Sequence, residues 1–136
     1  MKKRKEIQEL YETLVNSKEN IFPTTGKITV STEQGVYIVY SPTDEVLHVG
    51  RTNGGKNGLN QRLLNHVRNQ SSFSKLYMQP NSIKLRGTHK FKYLEVENAK
   101  DRAYLESLTA GTLCPEHIGT GLKRKSINAK HITAAK

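Results

Sequence analysis

The chain has 136 residues, 35% of them hydrophobic, and a formal net charge of +10 from 22 Lys and Arg against 12 Asp and Glu. That length supports one domain with a small core and is too short for two ordinary ones; the charge points to a polyanion, with nucleic acid the natural partner. The lone Cys114 excludes an internal disulfide and a cysteine-built zinc cluster. The basic runs lack the facing apolar stripe of a membrane-surface helix, and no apolar run is long enough for a signal segment or a bilayer span, so an intracellular location is expected.

In chain order, Ile7, Leu10, Tyr11, Leu14 and Val15 recur at helical spacing and predict an amphipathic helix over 5–17. Residues 20–32, with Pro23 and Gly26, read as a connector ending in a short extended piece. Two strands, 35–40 and 46–50, are joined by the turn Ser41-Pro42-Thr43-Asp44 and predict an antiparallel hairpin. A Gly- and Asn-rich loop over 52–57 permits unusual backbone angles, and 58–70 reads as a second helix. A short helix near 73–78, broken by Pro80, precedes a third strand over 90–97. Asn98 is placed to cap a last helix, with Asp101 in its first turn and Gly111 stopping it near Ala110. Cys114 reads as a small, half-buried apolar residue beside Pro115. From His117 onward the sequence is rich in Gly, Lys and Ser and predicts a basic arm.

The informative stretch runs from Gly35 to His66. It holds Tyr37 on the first hairpin strand, His48 and Arg51 on the second, and Arg62 and His66 four residues apart on one helix face. A phenol, two imidazoles and two guanidinium groups drawn to one place can bind a phosphate and move a proton.

These residues carry a resemblance. Gly35-Val36-Tyr37 and His48-Val49-Gly50, with Tyr37 and His48 eleven residues apart, are similar to the two motifs of the GIY-YIG nuclease superfamily. The run from Leu59 to His66 resembles its Arg-bearing helix, and Ala103 to Leu108 followed by Cys114-Pro115 resembles the helix carrying its metal-binding Glu. The resemblance covers residues 33–118. It implies an α+β fold with a small, mainly antiparallel three-stranded sheet flanked by helices; the N-terminal helix and connector then take up 1–32 and the basic tail 119–136.

By the same resemblance the chain is a metal-dependent endonuclease acting on double-stranded DNA. Tyr37 lies near the attacking water, with Arg62 and Arg51 the cations that would lower its pKa and His66 the group that accepts or holds its proton. Arg62 contacts the scissile phosphate, and Arg51 and Lys56 bind phosphate nearby. Glu106 holds Mg²⁺, for which Mn²⁺ can substitute; read from spacing alone, it is an exposed glutamate pairing with Arg102 one turn earlier. Basic residues at both ends, Lys2 to Lys5 and Lys123, Arg124 and Lys125, reach the DNA backbone or are simply solvated. One site per chain suggests a homodimer if both strands are cut.

Two departures from the family stand out. His48 occupies the place of a tyrosine, which adds a titratable group, and the late Asn after the proline is missing, with His117 and Asn128 as the substitutes on hand. A catalytically inactive nucleic-acid-binding module of the same fold is the alternative these departures motivate. Residues 50–56 also match Gly-x-x-x-x-Gly-Lys, a phosphate-loop pattern. Asn57 stands where that motif needs Ser or Thr, and a hairpin strand precedes it, so no nucleotide cofactor is expected.

Overall fold

A computed structural model describes residues 2–118; the basic tail, with Lys123, Arg124 and Lys125, lies outside the described residues. The elements are α1 (Lys2–Val15), β1 (Asn20–Ile21), β2 (Gly35–Tyr40), β3 (Val46–Arg51), α2 (Gly58–Val67), a π-helical turn (Ser74–Met78), β4 (Lys90–Glu95) and α3 (Ala99–Leu113). The fold is α+β, with helices flanking an antiparallel sheet whose strand order is β1-β4-β2-β3. None of the described helices is long and apolar enough to cross a membrane.

Four strands replace the expected three, because the connector after α1 is extended at its start rather than its end. Asn20 and Ile21 pair with Phe91 and Lys90, and Phe22 continues the contact by donating its N–H to the His89 carbonyl at 3.0 Å. The ring of Phe22 then packs on Phe91 with centroids 4.7 Å apart. Apolar burial at Phe22 thus anchors a strand that the Thr-rich segment around it does not signal.

Alternation along β2 divides the core between the two sheet faces. Tyr37 and Val39 join Leu59 and Leu63 of α2, together with Phe73 and Phe91. Val36 and Ile38 join Ile7 and Leu14 of α1, with Leu105 of α3. The hairpin register shifts between Val39 and Tyr40: Tyr40 faces Val46 while Val39 faces His48, leaving Leu47 as the extra residue. This bulge sets the phase of β3, so that Gly50 lies opposite Tyr37 on the α2 face and Arg51 opposite Val36 on the α3 face.

The caps follow sequence logic at one end of α3 and depart from it at the other. Asn98 accepts the Asp101 N–H at 3.0 Å, as expected. Gly111, however, stays inside the helix, which ends at Cys114 in the left-handed region with φ 50°. Cys114 is exposed rather than half-buried. Its N–H still reaches the Ala110 carbonyl, so the terminal turn closes without glycine.

Candidate functional site

Tyr37 is fully buried, and its hydroxyl extends over the edge strand β3 because the residue opposite, Gly50, has no side chain. A Cβ on Gly50 would stand 2.3 Å from the phenolic oxygen, 2.5 Å from the ring carbon bearing it and 3.0 Å from His48 Nε2. Gly50 is therefore the floor on which the phenol rests. From there Tyr37 Oη meets His66 Nε2 at 2.6 Å, the shortest polar contact of the site.

Helix α2 presents His66 and Arg62 to this phenol. Its first turn is stapled to the approach to β2: Leu59 and Asn60 donate their N–H groups to the carbonyls of Glu33 and Ser31, both at 2.9 Å. The Asn60 side chain in turn accepts the N–H groups of Val30 and Ser31 at 2.6 and 2.8 Å. Gly58 permits the close approach, with φ +41° and room for no Cβ against the Glu33 carbonyl. These bonds also weigh against the phosphate-loop reading, because they occupy two N–H groups at the start of α2, where such a loop would present its ligand. The antiparallel pairing of β2 with β3 argues the same way, since that motif belongs to parallel βαβ units.

His66 is completely buried, unlike an ordinary surface histidine on a helix. Burial, then the charges around His48, Arg62 and His117, hold its pKa well below the ordinary 6.5. It is therefore a neutral imidazole at neutral pH, free to accept a proton. Burial also dominates at Tyr37, pushing its pKa up to about 12. The positive charge of Arg62 opposes that shift as expected but loses to desolvation, while Glu106 adds to it. Tyr37 is thus a protonated phenol, not a phenolate in waiting.

Arg62 is half-buried, and its Nε has no hydrogen-bond partner among the described residues. Its charge acts on Tyr37, His48, His66 and Glu106 together, which places the guanidinium among all four. An arginine so surrounded, with an acceptor missing at Nε, keeps that donor for an anion.

His48 sits deeper than a titrating catalytic residue would. Its ring stacks on Phe73 with centroids 4.4 Å apart and planes 8° from parallel, and Phe73 stacks in turn on Tyr77. The Nδ1 faces His117 Nδ1 at 3.2 Å, whereas Nε2 is buried without a hydrogen-bond partner among the described residues. Burial, followed by repulsion from His117 and Arg62, lowers its pKa to about 3. The imidazole therefore stays neutral near pH 7, and the pH sensitivity expected from the exchange of tyrosine for histidine moves into the acid range.

Glu106 approaches from the other face. Its Oε1 accepts from Arg51 Nη1 at 2.8 Å, a pair only partly exposed. The sheet order puts β3 at an edge, so Arg51 on one face and Tyr37 with Arg62 on the other meet around its rim. Burial raises the Glu106 pKa above 4.5, with Arg51 and then Arg62 pulling it back. Arg102, the alternative partner one turn away, is instead buried. Its guanidinium donates to the carbonyls of Thr52 at 3.1 Å, Val96 at 3.0 Å and Glu97 at 2.8 Å, locking α3 to the end of β3.

Lys56 is exposed and lines, with Thr52, Gln61, Arg62 and Asn65, a cavity of about 180 Å³ beside the rim. The basic N-terminal run lies apart, in the first turn of α1, where Lys3 pairs with Glu6 and Asp101. The structure thus brings Tyr37, His48, Arg51, Arg62, His66 and Glu106 to one sheet edge, with Lys56 at its margin. Sequence reasoning missed Ser71, Phe73 and Ser74, which come from the segment with the weakest periodicity.

For a metal, the donor set is sparse. Among the described residues no group of three or more His, Cys, Asp or Glu could hold an ion. Glu106 keeps one carboxylate oxygen clear of the Arg51 bond, which suits a hard dication that keeps most of its water rather than a protein-built cage. No protein-family model and no curated protein matches this chain.

Proposed function

We propose that this protein is an intracellular, Mg²⁺-dependent DNA endonuclease of the GIY-YIG type. The observation that carries the reading is Arg62. An unpaired buried Nε beside a hydrogen-bonded phenol–imidazole pair, with a carboxylate at the same rim, suits a phosphodiester better than any structural role. The net charge of +10 supports a nucleic-acid backbone as the source of that phosphate.

Arg62 grips the scissile phosphate and stabilises charge on its oxygens, while Arg51 and Lys56 hold adjoining phosphates. Tyr37, with its proton engaged by His66 Nε2, turns an oxygen lone pair toward the attacking water. The water proton passes to Tyr37 Oη as the phenolic proton passes to His66, so no free phenolate forms, in keeping with the raised phenol pKa. A negative phosphate beside Arg62 removes part of the repulsion that keeps His66 neutral. Attack at phosphorus breaks the bond to the 3′ oxygen. Glu106 would hold Mg²⁺ or Mn²⁺, which when bound would supply charge neutralisation at that leaving oxygen. A single site cuts one strand, so double-strand cleavage needs a homodimer or sequential nicks.

The Arg51–Glu106 pair favours a second reading, a DNA-binding module in which arginine has taken the metal's place on the carboxylate. Plasmid cleavage separates the two. The nuclease nicks supercoiled DNA with Mg²⁺, loses activity in Glu106→Gln, and falls about 10- to 100-fold in Arg62→Met, as expected for one charge-assisted bond. Salt-sensitive binding without cleavage in any divalent metal establishes the module instead; undiminished cleavage by Glu106→Gln removes the metal assignment.

A further inference from the structure

We infer that Ser71, set by Ser74, is a positioning residue that holds His66 in the Nδ1–H tautomer, so that bare Nε2 accepts the Tyr37 proton. The catalytic role attached to this tautomer rests on the nuclease reading; the tautomer itself rests on hydrogen-bond accounting alone.

His66 is fully buried between two oxygens: Tyr37 Oη lies 2.6 Å from Nε2 and Ser71 Oγ lies 2.7 Å from Nδ1. A neutral imidazole has one N–H, so it donates to one of these oxygens and accepts from the other. Ser71 and Ser74 decide which, because both are buried and joined by four hydrogen-bond contacts. The Ser74 N–H donates to Ser71 Oγ, and the Ser71 N–H donates to Ser74 Oγ, both at 3.1 Å. Ser74 spends its only hydroxyl proton on the Ser71 carbonyl at 2.9 Å. The remaining contact between the two hydroxyl oxygens, 3.0 Å, therefore needs the proton of Ser71.

With that proton turned to Ser74, Ser71 Oγ has only lone pairs for His66, and Nδ1 must carry the hydrogen. Every donor and acceptor of the two serines is then used. The opposite tautomer turns the Ser71 proton to Nδ1, so the Ser74 hydroxyl can serve the contact between the hydroxyls only by giving up the Ser71 carbonyl, and a hydrogen on Nε2 takes the acceptor from the Tyr37 proton. With the imidazole and both serines buried, that loss favours the Nδ1–H form. The π-helical turn begins at Ser74, and its Lys75 N–H donates to the Ser71 carbonyl at 3.0 Å, tying the turn to the serine pair.

Long-range ¹H–¹⁵N correlation spectra of the ¹⁵N-labelled full chain read the tautomer without reference to cleavage. Wild type should show a protonated-type Nδ1 and a bare Nε2 at His66. Ser74→Ala frees the Ser71 proton to turn toward His66 and should switch the ring to Nε2–H, and Ser71→Ala should leave a mixture. On DNA, Ser71→Ala should lower kcat about 10-fold with KM unchanged, and Ser71→Thr should restore it. A wild-type Nε2–H spectrum overturns the inference, as does a Ser74→Ala spectrum identical to wild type. If wild type shows the Nδ1–H form but never cuts DNA, the tautomer lock stands and the nuclease reading falls.

Discussion

Replacing Gly50 with alanine tests whether Tyr37 is held where the candidate chemistry needs it. The added methyl would stand 2.3 Å from the Tyr37 hydroxyl oxygen and 2.5 Å from the adjacent ring carbon, so the ring must move or the hairpin must spread. The ring has little freedom, because it is fully buried and its hydroxyl is committed to His66. Overpacking of this kind costs about 1–3 kcal/mol. For a domain of this size that corresponds to a fall in Tm of roughly 4–12 °C. A urea titration of wild type and Gly50→Ala measures the cost, with an unchanged m-value showing that the loss is native-state strain. Tyr37→Leu vacates the ring position, so Gly50→Ala introduced into that background should cost only a few tenths of a kcal/mol, making the pair strongly non-additive. Equal costs in the two backgrounds would show that the methyl is resented by something other than the phenol. Cleavage by Gly50→Ala should fall at least as far as in Tyr37→Phe, since both lose the bond to His66.

Acid stability should report the buried imidazoles. A folded-state pKa depressed to about 3 at His48 means that its stabilising contribution is complete above pH 6.5 and is lost as pH falls toward 3. At pH 4 that loss is about 3 kcal/mol relative to pH 7. His48→Phe keeps the stack on Phe73, removes the unpartnered Nε2 and should recover most of it, with His66 leaving a residual acid sensitivity. Parallel plots of Tm against pH between 4 and 7 for the two proteins would count against this assignment. Arg102→Met should destabilise by about 3 kcal/mol, because three carbonyls lose their donor together. Arg102→Lys should recover little of that, since an ammonium cannot span the three acceptors; full recovery of the urea midpoint in the lysine variant would refute the fork.

Much of the architecture was legible in the chain. The stripe from Ile7 to Val15, the hairpin around Ser41-Pro42, the α2 pattern and the Asn98 cap each announce themselves through local chemistry: side-chain period, turn residues and a side chain that can bond its own backbone. The same local chemistry puts Arg62 and His66 on one helix face and carries Tyr37 along a strand. What failed locally failed for a reason. Gly111 looked like a stop, yet a helix ends where its packing ends, and Cys114 took the left-handed position instead. β1 has almost no strand signature because it owes its existence to the Phe22–Phe91 contact.

Charge, length and the order of the chemical groups along the chain were therefore set by sequence alone. Tertiary structure decided their protonation and their partners. Whether His66 titrates near neutrality or stays neutral depends on its complete burial, and whether Arg62 can drive Tyr37 toward phenolate depends on a contest with desolvation that the arginine loses. Arg102 was free to pair with Glu106 on the helix surface, but the packing of α3 against β3 turned it inward and left Glu106 to Arg51. Such outcomes are sums over neighbours from distant parts of the chain, and no window of sequence contains those neighbours.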